Sequence, residues 1–368
     1  MKIVIPRQDL LDAVNKVKTV VSAKSALPIL SHILMESKEN AVCLSATDLK
    51  VSIECTIDCT VETPGAFTIS SQRLASILTE LPDGDITLSL TDSNVIALEC
   101  GKIHTKLFSM SPDEFPPIRT FDGIEPLVLP QKMLKEIFSK TSFAICKDQA
   151  RYNLTGLLFE IKDGKLTAVA TDGRRMSFYQ EEEGIADGID IKVIIPGKMI
   201  NELERLLDKD DDVNVYIGEN QAAFSFGSLR LVTALIEGNF PNYEMVIPKE
   251  HDKEISLDTA LFVEGVRRTR TMTNEKFNSV RFILDKGKMT LKVVTPEVGE
   301  YDEEMPITYD GESFEVAFNP DFLLDVLRHV DTENTILALK DSMSPGILKP
   351  VDEDSTNHYI NVVMPIRI

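Results

Sequence analysis

Two hydrophobic periods alternate along the chain. Within residues 9–21 the apolar positions Leu10, Leu11, Val14, Val17 and Val21 recur at helical spacing, which predicts an amphipathic helix with one buried stripe. The spacing returns at Met133, Leu134, Ile137 and Phe138, and again at Leu261, Phe262 and Val266. A second helix is marked by Leu74, Ile77, Leu78 and Leu81, then by Met199, Ile200, Leu203, Leu206 and Leu207. Its third occurrence is Phe322, Leu323, Val326, Leu327 and Val330. Between the helices, short runs such as 86–90, 213–217 and 335–339 alternate apolar with polar residues, as half-buried strands do. Lys162-Asp163-Gly164-Lys165 and Asp285-Lys286-Gly287-Lys288 are hairpin turns by their residue types.

This pattern is repeated three times. Segments 30–48 (LSHILMESKENAVCLSATD), 154–172 (LTGLLFEIKDGKLTAVATD) and 278–296 (NSVRFILDKGKMTLKVVTP) have the same strand–turn–strand form. The threonines closing them are Thr47, Thr171 and Thr295, and both 171 − 47 and 295 − 171 give 124. Phe115-Pro116 is matched by Phe240-Pro241, and the last strand runs out at Met364-Pro365. Each unit of ~120 residues, an ordinary domain size, holds two helices and about eight short strands. The expected fold is α+β, with three tandem domains whose helices lie on one face of antiparallel sheets. Domain boundaries are expected at 1–122, 123–248 and 249–368, with the joints near residues 121–125 and 248–253.

Composition narrows the function. The 368 residues are 43% hydrophobic and 27% charged, as in a globular protein, and no apolar stretch is long enough to span a bilayer. The opening MKIVIPRQDLLDAV has no signal-peptide pattern, so a cytoplasmic location is expected. Five cysteines (Cys43, Cys55, Cys59, Cys100, Cys146), odd in number and without a CxxC pair, read as small buried side chains rather than a disulfide or zinc framework. A net charge of −20 argues against coating DNA by bulk electrostatics, but leaves room for a basic surface on an acidic body.

No nucleotide-binding, hydrolase or metalloprotease motif is present, and the five histidines are scattered without metal spacing. Asp208 to Asp212 lack the glycine and closing glutamate of a calcium loop and read as a solvated turn. The residues therefore suggest a protein that acts by holding others, without catalysis, metal or cofactor.

Several blocks resemble the bacterial DNA polymerase III beta subunit family, the replication sliding clamps. They are MKIVIPRQDLLDAV, Leu27-Pro28-Ile29-Leu30, Arg151-Tyr152-Asn153-Leu154, Ala170-Thr171-Asp172-Gly173-Arg174-Arg175, Gly238-Asn239-Phe240-Pro241-Asn242-Tyr243, Asn274-Glu275-Lys276-Phe277 and Val363-Met364-Pro365-Ile366-Arg367-Ile368. They run end to end in the family's order. The resemblance implies a head-to-tail homodimer whose six domains close a ring around duplex DNA, without sequence specificity. As partners it implies the replicative polymerase, a clamp loader, repair polymerases and other proteins bearing a clamp motif.

By family position, Lys24, Arg73, Lys147, Tyr152, Lys198 and Arg205 are the DNA-facing candidates, with Asp148 weakening that edge. Other cations on or beside the predicted helices are Lys132, Lys135, Arg267, Arg268 and Arg270. The resemblance places a pocket for partner peptides at Leu154, Thr171, Gly173, Arg174, Arg175, Met176, Pro241, Val246, Asn319, Phe322, Met343, Val362, Met364, Pro365, Ile366 and Arg367. Met245, Met176 and Phe322 depart from residues common in the family, which affects peptide preference. Leu107, with Thr271 and Met272, matches the ring joint, where Glu300, Asp302, Glu303 and Glu304 are expected to face Lys102 and Lys106. Two other readings are a repeat-built scaffold that never encircles DNA, and an enzyme with an unrecognised site.

Overall fold

The computed structural model describes residues 1–21, 27–91, 94–185, 188–351 and 357–367. The first repeat runs β1 (Lys2–Pro6), α1 (Arg7–Val17), β2 (His32–Lys38), β3 (Ala41–Thr47), β4 (Val51–Asp58), β5 (Thr60–Thr63), β6 (Ala66–Ser70), α2 (Ser71–Glu80), β7 (Asp85–Leu90), β8 (Val95–Cys100) and β9 (Ile103–Phe108). The second runs β10 (Leu127–Pro130), α3 (Gln131–Ser142), β11 (Gly156–Lys162), β12 (Lys165–Thr171), β13 (Arg175–Glu181), β14 (Ile191–Pro196), α4 (Gly197–Leu206), β15 (Asp212–Ile217), β16 (Gln221–Phe226) and β17 (Leu229–Ala234). The third runs β18 (Lys253–Asp258), α5 (Thr259–Arg270), β19 (Val280–Asp285), β20 (Lys288–Thr295), β21 (Gly299–Pro306), β22 (Phe314–Phe318), α6 (Pro320–Leu327), β23 (Asn334–Leu339), β24 (Gly346–Pro350) and β25 (His358–Val363).

All strand pairs within the named sheets are antiparallel, and the sheets do not respect the sequence repeats. One sheet has the order β10-β15-β16-β17-β4-β3-β2-β6, joining half of the second repeat to half of the first. Another, β14-β11-β12-β13-β25-β24-β23-β18, joins the other half of the second repeat to half of the third. The remaining halves form a five-stranded sheet, β5-β1-β7-β8-β9, and a four-stranded sheet, β21-β20-β19-β22. Two compact units result, Met1–Lys132 with Arg205–Leu235 and Met133–Glu204 with Ile236–Ile368, each holding one of the eight-stranded sheets and one of the smaller ones.

The helices form where the apolar stripe can be buried. Leu10, Val14 and Val17 of α1 are fully buried, and so are Leu134, Ile137 and Phe138 of α3. Each such side chain contributes ~1.5–3 kcal/mol relative to exposure. On α5, Phe262 and Val266 are buried, whereas Leu261, expected on the same stripe, is half exposed. Gly265 lies beside them: a Cβ there would fall 2.7 Å from the Met305 side-chain end and 2.9 Å from that of Leu291, so both would have to shift to admit a side chain.

The hairpin between β11 and β12 turns at Asp163 and Gly164, both at positive φ. Its counterpart turns at Gly287, so the step is 287 − 164 = 123, one short of the spacing the threonines suggested. The outcome is visible in chemistry. The hydroxyls of Thr47 and Thr171 donate to Val51 and Arg175 carbonyls across their turns (3.2 and 2.7 Å). The Thr295 hydroxyl is buried without such a partner, because Val294 holds the equivalent place in the third repeat.

Four of the five cysteines are buried small side chains, with Cys59 half-buried. Among the described residues, no helix is long and apolar enough to cross a membrane.

Candidate partner site, cation positions and strand edges

The partner-site candidates cluster where β25 joins β13. The register runs from Arg175 opposite Val363 to Gln180 opposite His358. One face of this seam carries a core of Leu158, Val169, Met176, Phe178, Ile194, Phe240 and Val362, with Leu154, Tyr243 and Ile247 half-buried against it. Met176 and Val362 are thus core residues. Phe240 anchors the chain before Pro241 and Val246, both of which remain exposed.

Beyond β25 the chain stays tied down. The Met364 N–H donates to the Arg174 carbonyl (2.8 Å), and the Ile366 N–H donates to the Ala317 carbonyl (2.7 Å). Met364 is 39% exposed and Met343 53%. Met343 sits in a turn built by Asp341, whose Oδ1 accepts the N–H groups of Met343 (2.8 Å) and Ser344 (2.6 Å). The pairing of Gly346 with Val363 brings that turn beside Met364. Asn319 caps α6 by accepting the Asp321 N–H at 2.8 Å. Arg367 is exposed, Pro365 and Ile366 half-buried.

The turn before β13 is held by short polar side chains. Asp172 Oδ1 accepts the N–H groups of Arg174 (2.9 Å) and Arg175 (3.1 Å), and Thr171 accepts that of Gly173 (3.0 Å). Gly173 has φ +80°, and a Cβ there would lie 2.9 Å from the Arg151 guanidinium. Arg175 differs from the other candidates because its guanidinium is engaged internally. It donates to Asp172 (3.2 Å), Asp325 (2.6 Å) and the Phe143 carbonyl (2.8 Å), and stacks on the rings of Phe143 and Phe322 at 5.5 and 4.7 Å. Its guanidinium is thus engaged inside the chain, and the side chain is 10% exposed.

The cation candidates divide. Arg73 on α2 and Lys198 and Arg205 on α4 are exposed, and the last two lie seven residues apart on one face of their helix. Arg205 donates to the Lys16 carbonyl and the Thr19 hydroxyl, both at 3.1 Å. Lys147 precedes the short 3-10 turn Gln149–Leu154 and Tyr152 lies within it, both exposed. Asp148, expected to weaken that edge, caps the turn by accepting the Ala150 N–H (3.0 Å) and pairs with Arg151. Lys24 lies outside the described residues. Of the other helix cations named from the sequence, Lys132 pairs with Asp210, Arg268 with Glu303 and Glu264, and Arg270 with Asp321.

At the expected joint, Leu107 and Met272 are half-buried and Thr271 is exposed. The residue missed in the sequence is Phe108, 84% exposed at the end of edge strand β9, an apolar side chain on the polar phase of its strand. Two residues of the acidic run are engaged within the chain, Glu304 by Lys288 (2.5 Å) and Glu303 by α5. Glu303 accepts from Arg268 (2.5 and 3.0 Å) and from the Tyr301 hydroxyl (2.6 Å), so it faces α5. Arg268 and the Tyr301 hydroxyl hold the Glu303 carboxyl below the usual carboxylate range.

Three family models cover the chain in order: the DNA polymerase III beta subunit N-terminal domain at residues 1–119, the central domain at 128–242 and the C-terminal domain at 244–367. The beta sliding clamp of Chlamydia muridarum is 32% identical over 100% of this chain and 99% of its own length, and that of Caulobacter vibrioides 34% over 100% of both. The crystal structure of the DNA polymerase III subunit beta from Pseudomonas aeruginosa matches with a TM-score of 0.94 at 31% identity, again over 100% of both chains. With full-length matches of this kind and three repeats built alike, the chain belongs to the DNA polymerase III beta subunit family, the bacterial sliding clamps.

Proposed function

We propose that the chain is a non-catalytic processivity clamp of the cytoplasm: two copies joined head to tail close a ring around duplex DNA and carry a polymerase along it. The observation behind this reading is the fate of the sheet edges. β4 of the first repeat pairs with β17, the last strand of the second, and β13 of the second pairs with β25, the last strand of the third. The corresponding strands left over, β21 of the third repeat and β9 of the first, are sheet edges. Two copies that offer β9 to β21 twice would repeat the same joint, leave six like domains in a closed cycle and remove those open edges. The domains in this reading are 1–122, 123–248 and 249–368.

Arg73, Lys147, Tyr152, Lys198 and Arg205, with Lys24, then serve as phosphate-facing positions. Contacts to phosphate carry no base information, which suits a body that must slide. The net charge of −20 disfavours adsorption by the rest of the surface. Short partner peptides would dock on Met343, Met364 and Val246, with Leu154, Pro241, Phe322 and the tail 362–367 around them. Flexible thioethers suit several partner sequences. Tethering raises the polymerase's local concentration on its template without any chemistry by the clamp.

The test is topological. Loaded onto DNA at low salt and then washed at high salt, the protein should stay on closed circles and leave linear duplex. Equal loss from both would refute encirclement.

A further inference from the structure

The two seams share more than strand order. Val51 lies opposite Thr233 and Ile53 opposite Leu231 in the first, as Arg175 lies opposite Val363 and Ser177 opposite Asn361 in the second. The turn that enters the seam is duplicated bond for bond. Asp48 Oδ1 accepts the N–H groups of Lys50 (2.9 Å) and Val51 (2.7 Å), and the Thr47 hydroxyl oxygen accepts that of Leu49 (3.0 Å). Asp172 and Thr171 accept the same three N–H groups in the second repeat. At the exit from the seam the Ala234 N–H donates to the Lys50 carbonyl (3.2 Å), as the Met364 N–H does to that of Arg174. Phe115 is buried ahead of Pro116, as Phe240 is ahead of Pro241.

Within this shared frame the side chains differ. The counterpart of Gly173 is Leu49, at φ +76° against +80°, and the counterpart of Met364 is Ala234. Left-handed backbone suits glycine and disfavours a bulky residue, and Leu49 is 57% exposed, so little packing within the chain offsets its conformation. A disfavoured backbone that holds an apolar side chain out to solvent points to a use outside the chain. Beside Leu49 lies a cleft of about 100 Å³, bounded by the turn, the segment 116–119 and residues of β16 and β17. Small-molecule pockets measure ~300–1,000 Å³, so this cleft has room for one anchoring side chain and not for a whole ligand. Lys50 and Arg119 line it and are exposed, and neither forms an ion pair among the described residues. No acid lines the cleft, although acids outnumber bases 59 to 39 in the chain. The acids nearest to Lys50 in sequence are engaged elsewhere, Asp48 by the backbone of the turn and Glu54 by Arg230.

We propose that this cleft at the first seam is a docking site for an acidic, extended peptide segment of a partner protein. One apolar side chain of the peptide enters the cleft and packs against Leu49 and Ile118, while carboxylates beside it pair with Lys50 and Arg119. Two cations facing no acid attract such a segment and repel a basic one. A nucleic-acid strand is served less well, because no aromatic side chain lines the cleft to stack a base. The apolar bulk sits on the turn in the first seam and on the last strand in the second, so the two sites select different peptides.

Short random peptides displayed on phage and selected on the immobilised full chain supply the probes. Enriched sequences, synthesised with a fluorescein label, are titrated by anisotropy against the parent, Leu49→Gly, the double variant Lys50→Ser with Arg119→Ser, and Met364→Ala. A class rich in aspartate or glutamate around one apolar residue should lose about tenfold in affinity or more with Leu49→Gly and with the double variant. The same class should bind Met364→Ala as it binds the parent. Leu49→Gly should unfold at the parent's midpoint or above it, which separates a lost contact from a damaged fold. The proposal is overturned if no enriched class shows this profile, or if Leu49→Gly unfolds at a clearly lower midpoint. It is also overturned if a labelled oligothymidylate, and no peptide, binds with this dependence on Lys50 and Arg119.

Discussion

Arg175 holds together three segments far apart in sequence: the turn at Asp172, the carbonyl after α3 at Phe143, and Asp325 of α6. Its side chain is 10% exposed, while Asp172 and Asp325 are 18% and 31% exposed. Removing the guanidinium would leave two partly buried carboxylates without their cation, so Arg175→Ala should lower stability by about 2–4 kcal/mol, towards the lower end because water reaches both acids. Arg175→Lys should recover little, since one ammonium cannot replace a fork that serves three acceptors. Met364→Ala removes an exposed side chain and should weaken a clamp-motif peptide severalfold with the unfolding midpoint unchanged. Denaturant melts and peptide titrations separate the two roles: a stable Arg175→Ala protein with weakened peptide binding would place Arg175 in the groove itself. The resemblance put both residues in one pocket; that Arg175 is engaged inside the chain while Met364 is exposed is visible only in the structure, because nothing in a sequence reports where a guanidinium finds its acceptors.

The helices, the hairpins and their threefold recurrence are all legible from local periodicity, because 3.6- and 2-residue patterns belong to single elements. The seams are not. β4 and β17 pair across more than 170 residues of chain, a long-range choice that local pattern cannot encode. The one-residue slip of the third repeat at Val294 and Thr295, by contrast, is legible in the turn motifs, since Lys162 and Asp285 open their turns 123 residues apart. The second seam also carries a local conflict. Asn361 is fully buried on β25 opposite Ser177, and neither atom of its amide has a hydrogen-bond partner among the described residues. Burial likewise pushes the neighbouring Tyr359 hydroxyl far above the ordinary tyrosine range. The equivalent position of the first seam is Leu231, also fully buried. Asn361→Leu keeps the four side-chain heavy atoms and their branching, replaces the amide by bulkier methyls and removes the unsatisfied polar group, so with some of the gain offset by tighter packing it should stabilise the protein by ~1 kcal/mol. A lower unfolding midpoint for this variant would mean that the amide is needed by the seam.

At the scale of the whole molecule, the chain contains the joint twice and the two halves of a third. Retention on DNA then depends on closure rather than on grip, which is consistent with an acidic body of net charge −20. Electron micrographs of the purified protein, classified without imposed symmetry, test this most directly. The account predicts rings of two chains, six similar lobes around a stain-filled hole wide enough for duplex DNA. Solid particles, or open chains that never close at micromolar concentration, would contradict it.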